Sequence, residues 1–402
     1  MHILIIPSER YVTTDKPLGA IFQYHQAHAL KRAGVKVGVI APTPCSLRYV
    51  KQQKGRCFQG IEQYMDQGIP VYRCQCPNWT TGKTPFLYQL YWNSIGRHLY
   101  ERYISEYGSP DIVHAHNALY AGAFAAHYVR PKGIPVVLTE HSSIYVQRKL
   151  TRWQWKQARH AFEQSAARIV VTPNLGDRLE TLFGRAVIPW YAIPNILDNL
   201  FESSPLPSPR KHSTEFIFLN VAMLQPIKNH EGLLRAFSRA FKGQTRVLLR
   251  IGGDGPLMKR LQNLAFELGI AKQVRFLGRL SRQQVLEEMQ NCDAFVLPSL
   301  YETFGVVLIE AASCGKPLIA SQGSGPDSII NEHNGLLVPP GDEQALAQAM
   351  ITIYQHASEY DPVTIRQDCL VRYGEKAVVN KLQSVYQQVL QDGLRRAGYG
   401  QI

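Results

Sequence analysis

Short apolar runs alternate with longer amphipathic stretches along the whole chain. This alternation predicts buried strands of a mostly parallel sheet, joined by helices that cover its faces. In the first half, the predicted strands are residues 2–6, 35–40, 69–73, 111–115, 134–139 and 168–172. The predicted helices are residues 20–33, 84–106, 118–130, 147–164 and 174–183.

The same alternation begins again in the second half. Strands are predicted at 216–222, 246–251, 274–277, 294–297, 317–320 and 336–338, and helices at 230–242, 256–268, 281–290 and 304–314. Between the halves, residues 203–213 are rich in Pro and Ser and lack an apolar period, which predicts a linker. We therefore expect one domain at 1–200, a second at 214–373, and a helical C-terminal segment at 374–402.

The stretch 293–321 predicts a strand, a helix and a second strand in close succession. We expect Thr303 to cap the start of this helix. The first helical amides would then be unpaired and carry the positive end of the helix dipole, which favours a phosphate group. These amides belong to Phe304, Gly305 and Val306.

Two carboxylates flank that helix start, Glu302 just before it and Glu310 about two turns inside it. Each could accept hydrogen bonds from vicinal hydroxyls, one set on a sugar and one on a ribose. With a diphosphate on the amides, this arrangement suits a sugar nucleotide. The alternative is that both glutamates are merely solvated. Glu310 lies within an almost entirely apolar helix, where an unpaired carboxylate would be costly.

The two glutamates stand within Pro-Ser-x-x-Glu-x-Phe-Gly and before Gly-x-Pro, a pattern that resembles the signature of the retaining glycosyltransferases of family 4. That family has the GT-B fold, an α/β architecture in which two Rossmann-like domains with parallel sheets face each other across a cleft. The resemblance implies that Glu302 holds the transferred sugar, Glu310 holds the ribose, and residues 303–306 bind the donor diphosphate. Similar segments at 194–198, 323–330 and 335–342 extend the resemblance over nearly the whole chain.

Two predicted strand ends in the first half offer further candidates. Gly19 opens a helix at the carboxyl edge of the sheet, where open α/β folds bind ligands, although a glycine that only turns the chain would look the same. His114 and His116 share one face of a strand, which by itself also suits a structural pair or a weak metal site. In the family, a similar glycine contacts the donor diphosphate and a similar histidine lies against the donor sugar. His116 matches that histidine best.

The next strand ends in a comparable segment with Glu140 and His141. The resemblance implies that these two residues lie near the acceptor.

Lys228 is the most important cation of the second half. A loop lysine is ordinarily a solvated charge. The family's matching lysine neutralises the departing diphosphate, and the resemblance also places Leu280 at the nucleobase. The family usually has an arginine five residues before the lysine, where this chain has Met223. Either Lys228 acts alone or a further cation such as Arg250 or Arg279 assists it.

Glycines 252, 253 and 255 precede a predicted helix and resemble a phosphate loop, although a strand-to-helix turn fits them better.

Charge is distributed unevenly along a chain whose formal net charge is +13. Residues 1–200 carry 23 Lys and Arg against 12 Asp and Glu, while residues 201–402 carry 21 against 19. A basic first half attracts an anionic partner. Aromatic and basic residues are interleaved in 83–103 and 148–160, which suits an anionic lipid surface, unless the aromatic side chains simply pack on the sheet. No nucleic-acid-binding module is recognisable, so we expect no nucleic-acid partner.

The remaining composition favours a cytoplasmic protein. No stretch of 18 uninterrupted apolar residues occurs, and the start of the chain lacks the features of a signal peptide. Seven cysteines without Cys-x-x-Cys spacing suit reduced thiols better than disulfides or a metal site.

Taken with the resemblance, these features predict a retaining, metal-independent hexosyltransferase without a cofactor. Its partners would be a nucleotide-sugar donor and a glycan or lipid-linked acceptor of cell-surface polysaccharide synthesis, with the protein peripheral at the inner face of the membrane. The alternatives are a phosphorylase or sugar-phosphate synthase of the same fold, and an inactive binding or scaffold protein.

Overall fold

The computed structural model describes residues 1–12, 20–46, 60–80, 84–145, 150–184, 187, 189–207, 214–323 and 325–398. The chain divides into two compact units. Unit 1 comprises Met1–Ile196 and Val378–Ile402, and unit 2 comprises Leu197–Ala377.

All twelve predicted strands are present in the predicted order, together with further strands that the sequence did not predict. The strands of unit 1 are β1 (His2–Pro7), β2 (Lys36–Ala41), β3 (Cys45–Ser46), β4 (Gly60–Asp66), β5 (Ile69–Gln75), β6 (Pro77–Asn78), β7 (Ile112–His116), β8 (Val136–Glu140), β9 (Ala167–Val170) and β10 (Tyr191–Ala192). The strands of unit 2 are β11 (Phe216–Val221), β12 (Val247–Gly252), β13 (Val274–Gly278), β14 (Ala294–Leu297), β15 (Leu318–Ser321) and β16 (Gly335–Val338).

Helices connect these strands. They are α1 (Ile21–Arg32), α2 (Pro85–Tyr107), α3 (Arg152–Gln164), α4 (Pro173–Phe183), α5 (Asn199–Glu202), α6 (His230–Phe241), α7 (Met258–Glu267), α8 (Arg282–Asn291), α9 (Val306–Ser313), α10 (Glu343–Gln355), α11 (Pro362–Tyr373) and α12 (Glu375–Gly398).

The main sheet of unit 1 has eight strands in the order β10-β9-β8-β7-β1-β2-β5-β4. All its strands pair in parallel except β4, which pairs antiparallel with β5 at the edge. The core strands β1 and β7 are buried along their whole length, as central strands of a parallel sheet that is covered on both faces should be. One face of α12 completes this core, through Val378, Leu382 and Tyr386.

The sheet of unit 2 has six parallel strands in the order β13-β12-β11-β14-β15-β16. Its central strand β11 pairs with β12 on one side and β14 on the other. The carboxyl ends of neighbouring parallel strands lie at one edge, so the loops that follow β11, β14 and β15 are brought together. The prediction of two Rossmann-like units with parallel sheets is confirmed.

Two local predictions were wrong. The edge strand β4 was not predicted, because its half-buried pattern contains no continuous apolar run. The predicted helix at 118–130 does not begin at 118, since Leu119 and Tyr120 have non-helical backbone angles. Wide helical turns follow instead at Ala125–Val129.

Candidate active site

Lys228 and Glu302 form an ion pair in unit 2. Lys228 ends a short helical turn after β11, and Glu302 lies in the loop after β14. The amide of Leu300 donates to the carbonyl of Ile227 at 2.8 Å, which ties these two loops together. The side chains of the ion pair retain 24% and 16% of their exposure, so solvent reaches both of them. The structure therefore brings together the two side chains that were predicted to bind the diphosphate and the sugar.

A third loop, the one after β15, approaches the same place. The amide of Gly325 donates to the carbonyl of Glu302 at 2.7 Å. A β-carbon on Gly325 would lie only 2.4 Å from the Cα atom of Phe304, so glycine is required for this backbone contact. Loops from β11, β14 and β15 thus converge at the carboxyl edge of the sheet.

Thr303 does not cap the neighbouring helix, so that prediction was wrong. Helix α9 begins at Val306, and its N-cap residue is Gly305, with φ 94° and ψ 59° in the left-handed region. Glycine adopts this conformation without the strain that a β-carbon causes, which lets the chain turn into the helix two residues later than predicted. Of the three amides predicted to open the helix, only that of Val306 belongs to it; Phe304 and Gly305 precede it.

Glu310 lies inside unit 2 and is 1% exposed. Arg282, the first residue of α8, donates to both of its carboxylate oxygens, at 2.7 and 3.2 Å. The same guanidinium donates to Asp198 at 2.9 Å and lies 4.8 Å from the ring centre of Phe201. Burial raises the pKa of Glu310, and the positive charge of Arg282 opposes that shift. The predicted contact between Glu310 and a ribose remains a prediction.

Two other predicted donor-side positions follow strands of the same sheet, and the proposed assisting cation Arg250 lies within β12. Leu280 follows β13, and its side chain lies 2.6 Å from where a β-carbon of Gly252 would be. Met223 follows β11 and is 61% exposed. Arg250, proposed as an assisting cation, pairs with Glu288 at 2.9 Å.

The glycine-rich loop after β12 could be a phosphate loop or a strand-to-helix turn, and its packing fits the turn. A β-carbon on Gly253 would lie 1.9 Å from the carbonyl oxygen of Ala222, so this glycine is needed for backbone packing.

Three histidines cluster in unit 1 at the ends of β7 and β8. The rings of His114 and His116 stack with centroids 4.5 Å apart, and His141 meets His116 edge-on at 5.6 Å. Burial lowers the pKa of His114 to about 3 and that of His141 to about 4, and it lowers the pKa of His116 well below its ordinary value. All three imidazoles are therefore neutral at pH 7.

His114 and His116 differ in their hydrogen bonds. Nδ1 of His114 lies 3.0 Å from the amide nitrogen of Gln26 and 2.7 Å from the hydroxyl of Tyr386, while its Nε2 lies 2.7 Å from Thr139 Oγ1. The Gln26 amide can only donate, so Nδ1 is the acceptor and Nε2 carries the proton. Both ring nitrogens of His116 are buried and have no hydrogen-bond partner among the described residues. His116 also lines a small cavity with Phe22, Gln26, Asn195 and Leu382. This free hydrogen-bonding capacity distinguishes His116 as the candidate for ligand contact.

Glu140 is fully buried, and its place near the acceptor remains a prediction. Its carboxylate accepts the backbone amides of Ala118, His141 and Ser142 at 2.9, 3.0 and 2.8 Å. Burial raises its pKa to about 7, although these donors partly offset the shift. Glu140 thus organises backbone at the ends of β7 and β8. His141 is half-buried beside His116 and contacts Gln23 at 3.1 Å.

Three further predictions concern Gly19, a metal site and a membrane-spanning helix. Gly19 lies outside the described residues. Among the described residues, no cluster of His, Cys, Asp and Glu has the arrangement of a metal site. Within the residues that the structure describes, no helix is long and apolar enough to span a membrane.

Sequence reasoning missed the ion-pair partner of Glu310. Arg282 reads as an ordinary basic residue at a helix start, and nothing in its spacing from Glu310 or Asp198 predicts their contact. The capping pattern Ser281-x-x-Gln284 does predict where α8 begins, and it is formed as a capping box. It therefore fixes Arg282 at the first helical position, but not the direction of its side chain.

Two family patterns match the chain, one in each half. "Glycosyltransferase Family 4" matches residues 20–199, and "Glycosyl transferases group 1" matches residues 206–363. Together they leave only the ends of the chain and a few linker residues unmatched.

Three curated relatives match different shares of the chain. A putative teichuronic acid biosynthesis glycosyltransferase, TuaC of Bacillus subtilis, is 27% identical over 90% of this chain and 91% of its own length. An exopolysaccharide phosphotransferase of Streptomyces coelicolor is 34% identical over 52% of this chain, and the match spans 21% of that protein. Glycogen synthase of Mycobacterium tuberculosis is 29% identical over 61% of this chain, and the match spans 60% of that enzyme.

Solved structures with the same fold are more distant in sequence. Sucrose-phosphate synthase of Thermosynechococcus elongatus has a TM-score of 0.76 at 19% identity and covers 98% of this chain and 100% of its own. Anabaena HepE, in complex with UDP, has a TM-score of 0.73 at 20% identity and covers 96% of this chain and 100% of its own.

Proposed function

This chain belongs to the family 4 glycosyltransferases, which have the GT-B fold, and we propose that it transfers a sugar from a nucleotide-sugar donor with retention of anomeric configuration. The observation that carries the proposal is the pairing of Lys228 with Glu302 beside the start of α9. A cation, a carboxylate and the first amide of α9 at one sheet edge provide groups for a diphosphate and for sugar hydroxyls.

Bond breaking would place the charge where these groups can stabilise it. The bond between the anomeric carbon and the diphosphate oxygen breaks, and both electrons leave with the diphosphate. Lys228 and the amide of Val306 would stabilise this new negative charge, while Glu302 would hold the hydroxyls of the sugar. Before the donor binds, Glu302 also holds the Lys228 ammonium in place. The donor therefore has to share or displace this contact.

Retention would follow from attack on the face that the diphosphate leaves. The acceptor hydroxyl bonds to the anomeric carbon, and its proton passes to the departing phosphate oxygen. This route requires no side-chain nucleophile. Lys228 supplies the positive charge that a divalent metal supplies in other transferases, so we propose a metal-independent reaction without a cofactor.

Two further donor contacts are proposed from the family, those of His116 and Glu310. His116 would lie against the donor sugar, since its ring nitrogens have no partner among the described residues. Glu310 would accept the ribose hydroxyls only if the Arg282 side chain gives way on binding, because Glu310 is 1% exposed.

We propose a glycan or lipid-linked acceptor from cell-surface polysaccharide synthesis. The similarity to TuaC, named for teichuronic acid biosynthesis, and to the Streptomyces exopolysaccharide phosphotransferase supports this setting. The excess of basic residues in the first half supports an acidic or phosphate-bearing acceptor.

An exposed surface of unit 1 supports a cytoplasmic location at the membrane face. Phe86, Leu87 and Leu90 of α2 are each about half exposed. Phe86 meets Trp153 of α3 edge-on, with centroids 5.6 Å apart. Basic side chains are exposed on the same α3, namely Arg152, Lys156 and Arg159. Apolar side chains beside cations suit anionic lipid headgroups, so we propose that this surface touches the inner leaflet.

A binding panel followed by an assay tests the proposal. Thermal unfolding would be measured with UDP, GDP and ADP, and then with their sugar conjugates at the same concentrations. We expect one nucleotide to raise the melting temperature, and its sugar conjugate to be consumed slowly even without an acceptor. An inactive scaffold would show neither effect. A sugar-phosphate synthase would consume donor rapidly only when a sugar phosphate is added.

A further inference from the structure

The segment that follows His116 has an unusual backbone. Asn117 has φ 67° and ψ 139°, and Tyr120 has φ 64° and ψ −80°. Neither residue is glycine, and both angles lie in regions that side chains rarely adopt. Such a turn persists only when its surroundings hold it in place.

Three side chains from three separate elements hold this turn by its backbone. The Ser8 hydroxyl, just after β1, lies 2.7 Å from the carbonyl of His116 and 2.6 Å from that of Leu119, and it accepts the amide of Ala121 at 3.1 Å. Ser8 therefore reaches both ends of the turn.

The side chain of Gln89, from α2, forms two hydrogen bonds with the backbone of Tyr120. Its amide nitrogen donates to the carbonyl of Tyr120 at 3.2 Å, and its oxygen accepts the amide of Tyr120 at 3.1 Å. Gln89 is 2% exposed, so these bonds form away from water. This pair of bonds fixes the peptide groups on both sides of the Tyr120 Cα atom.

Glu140, from the end of β8, supplies the third contact. One of its oxygens accepts the amide of Ala118, and the other accepts the amides of His141 and Ser142. A single buried carboxylate thus joins the turn after His116 to the segment that carries His141. The rings of these two histidines are in edge-on contact.

We propose that Ser8, Gln89 and Glu140 are positioning residues, which hold the strained turn so that the His116 ring faces the ligand with both nitrogens free. The catalytic part of this inference rests on the proposed sugar transfer. The structural part concerns only where the His116 ring lies.

Gln89→Leu is the first test, because it removes both bonds to Tyr120 while keeping an apolar side chain of similar size. Gln273→Leu is the matched control. Gln273 is likewise buried and bonds the backbone of unit 2 through both ends of its amide, at Phe241 and Gly243. Two readouts are needed: kcat and donor KM in the transfer assay, and the imidazole NMR signals of protein labelled at histidine Cε1. His116→Gln assigns the signal of His116.

Gln89→Leu should lower kcat about 10- to 100-fold, since a displacement of about 1 Å at a reacting group has an effect of that size. The KM for the donor should change less than kcat, because the proposed diphosphate contacts and the proposed contact of Glu302 with the sugar lie in unit 2. The His116 signal should move in Gln89→Leu and stay in place in Gln273→Leu. A folded Gln89→Leu protein with an unmoved His116 signal and wild-type kcat would overturn the inference.

A milder pair of variants keeps the test valid if Gln89→Leu does not fold. Ser8→Ala removes the hydroxyl, and Ser8→Thr restores one. We expect the His116 signal and kcat to change in the first and to recover in the second, and equal behaviour of the two variants would refute the role of Ser8. If the wild-type protein transfers no sugar, the proposed function fails, whereas the NMR shifts still decide whether these residues position His116.

Discussion

Arg282 holds Glu310 by two hydrogen bonds, at 2.7 and 3.2 Å, in the interior of unit 2. The carboxylate that resembles the family's ribose ligand is therefore also one half of a structural ion pair. Asp198 binds the same guanidinium, so the pair is a triad that joins α8, α9 and the residue preceding α5. This relationship makes Arg282 important for stability and, under the proposed role of Glu310, for donor binding.

Replacing Arg282 by Met should destabilise the protein by about 2–4 kcal/mol, because Glu310 would be left buried without a partner. Breaking a fully buried ion pair can cost about 5 kcal/mol. We expect a smaller loss of stability here, since the Arg282 side chain keeps 26% exposure. Urea unfolding measures the change. The double variant Arg282→Met with Glu310→Gln should recover part of the loss, and a single variant as stable as the wild type would show that the pair contributes nothing.

Acid should destabilise unit 1 through the histidine cluster of His114, His116 and His141. Burial keeps His114, His116 and His141 neutral in the folded state, whereas the unfolded chain takes up protons below about pH 6.5. The unfolded state then binds more protons than the folded state, so stability falls as pH drops from about 6.5 towards 4. The urea midpoint should be lower at pH 5 than at pH 7.5, and the difference should be smaller in His141→Gln. Equal pH dependence in both proteins would contradict this account.

Glu140 has the opposite effect on the pH dependence of stability within part of the same pH range. Its pKa is about 7 in the folded protein, whereas an unfolded glutamate ionises near its ordinary value. The folded state therefore holds the extra proton between these values, and this term raises stability as pH falls. Glu140→Gln removes the term, so its urea midpoint should fall more steeply between pH 7 and 5 than that of the wild type. An unchanged slope would show that Glu140 is already ionised there.

Gly325→Ala should disturb the loop that carries Glu302. The added β-carbon would lie 2.4 Å from the backbone of Phe304, and overpacking of this kind costs about 1–3 kcal/mol. We expect a lower melting temperature and weaker stabilisation by the donor nucleotide. Gly393→Ala is the matched control, since among the described residues outside its own helical turn nothing lies within 4 Å of its added β-carbon. Unchanged nucleotide binding in Gly325→Ala would separate this loop from the donor site.

Binding to lipid vesicles should depend on both parts of the exposed surface on α2 and α3. Phe86→Ser with Leu90→Ser removes apolar contact, and Arg152→Gln with Lys156→Gln removes charge. Each pair should reduce cosedimentation with phosphatidylglycerol vesicles, and the charge variant should also lose the salt dependence. Phosphatidylcholine vesicles serve as the neutral control. Equal binding to both kinds of vesicle would rule out the electrostatic part.

The sheets could be predicted well because their strands are continuous apolar runs. β14, for instance, has the predicted limits 294–297, and β1, β11 and β16 differ from prediction by one residue at an end. The pairing of Lys228 with Glu302 was also within reach, since both follow neighbouring parallel strands. The directions of the side chains could not be predicted from the sequence. Glu140, for instance, was expected near the acceptor because its position matches the family, and no pattern in the sequence predicted that it accepts three backbone amides.

The start of α9 and the turn after His116 escaped prediction for a related reason. In both places the backbone has a positive φ, at Gly305 in one case and at Asn117 and Tyr120 in the other. Local sequence favours a cap at Thr303 and a helix from residue 118, and tertiary contacts override both preferences. Hydrogen bonds from Ser8 and Gln89 to the turn connect residues far apart in the chain, and no local pattern reports them.

The most direct test of the central claim is the initial rate of sugar transfer from the nucleotide-sugar, compared between the wild type and the folded variants Lys228→Ala and Glu302→Ala. Glu288→Ala is the matched control, because Glu288 also pairs with a cation of unit 2 and is similarly exposed. We predict a loss of about 100-fold or more in each of the two site variants and a change of less than about threefold in the control. Wild-type rates in both site variants would contradict the account.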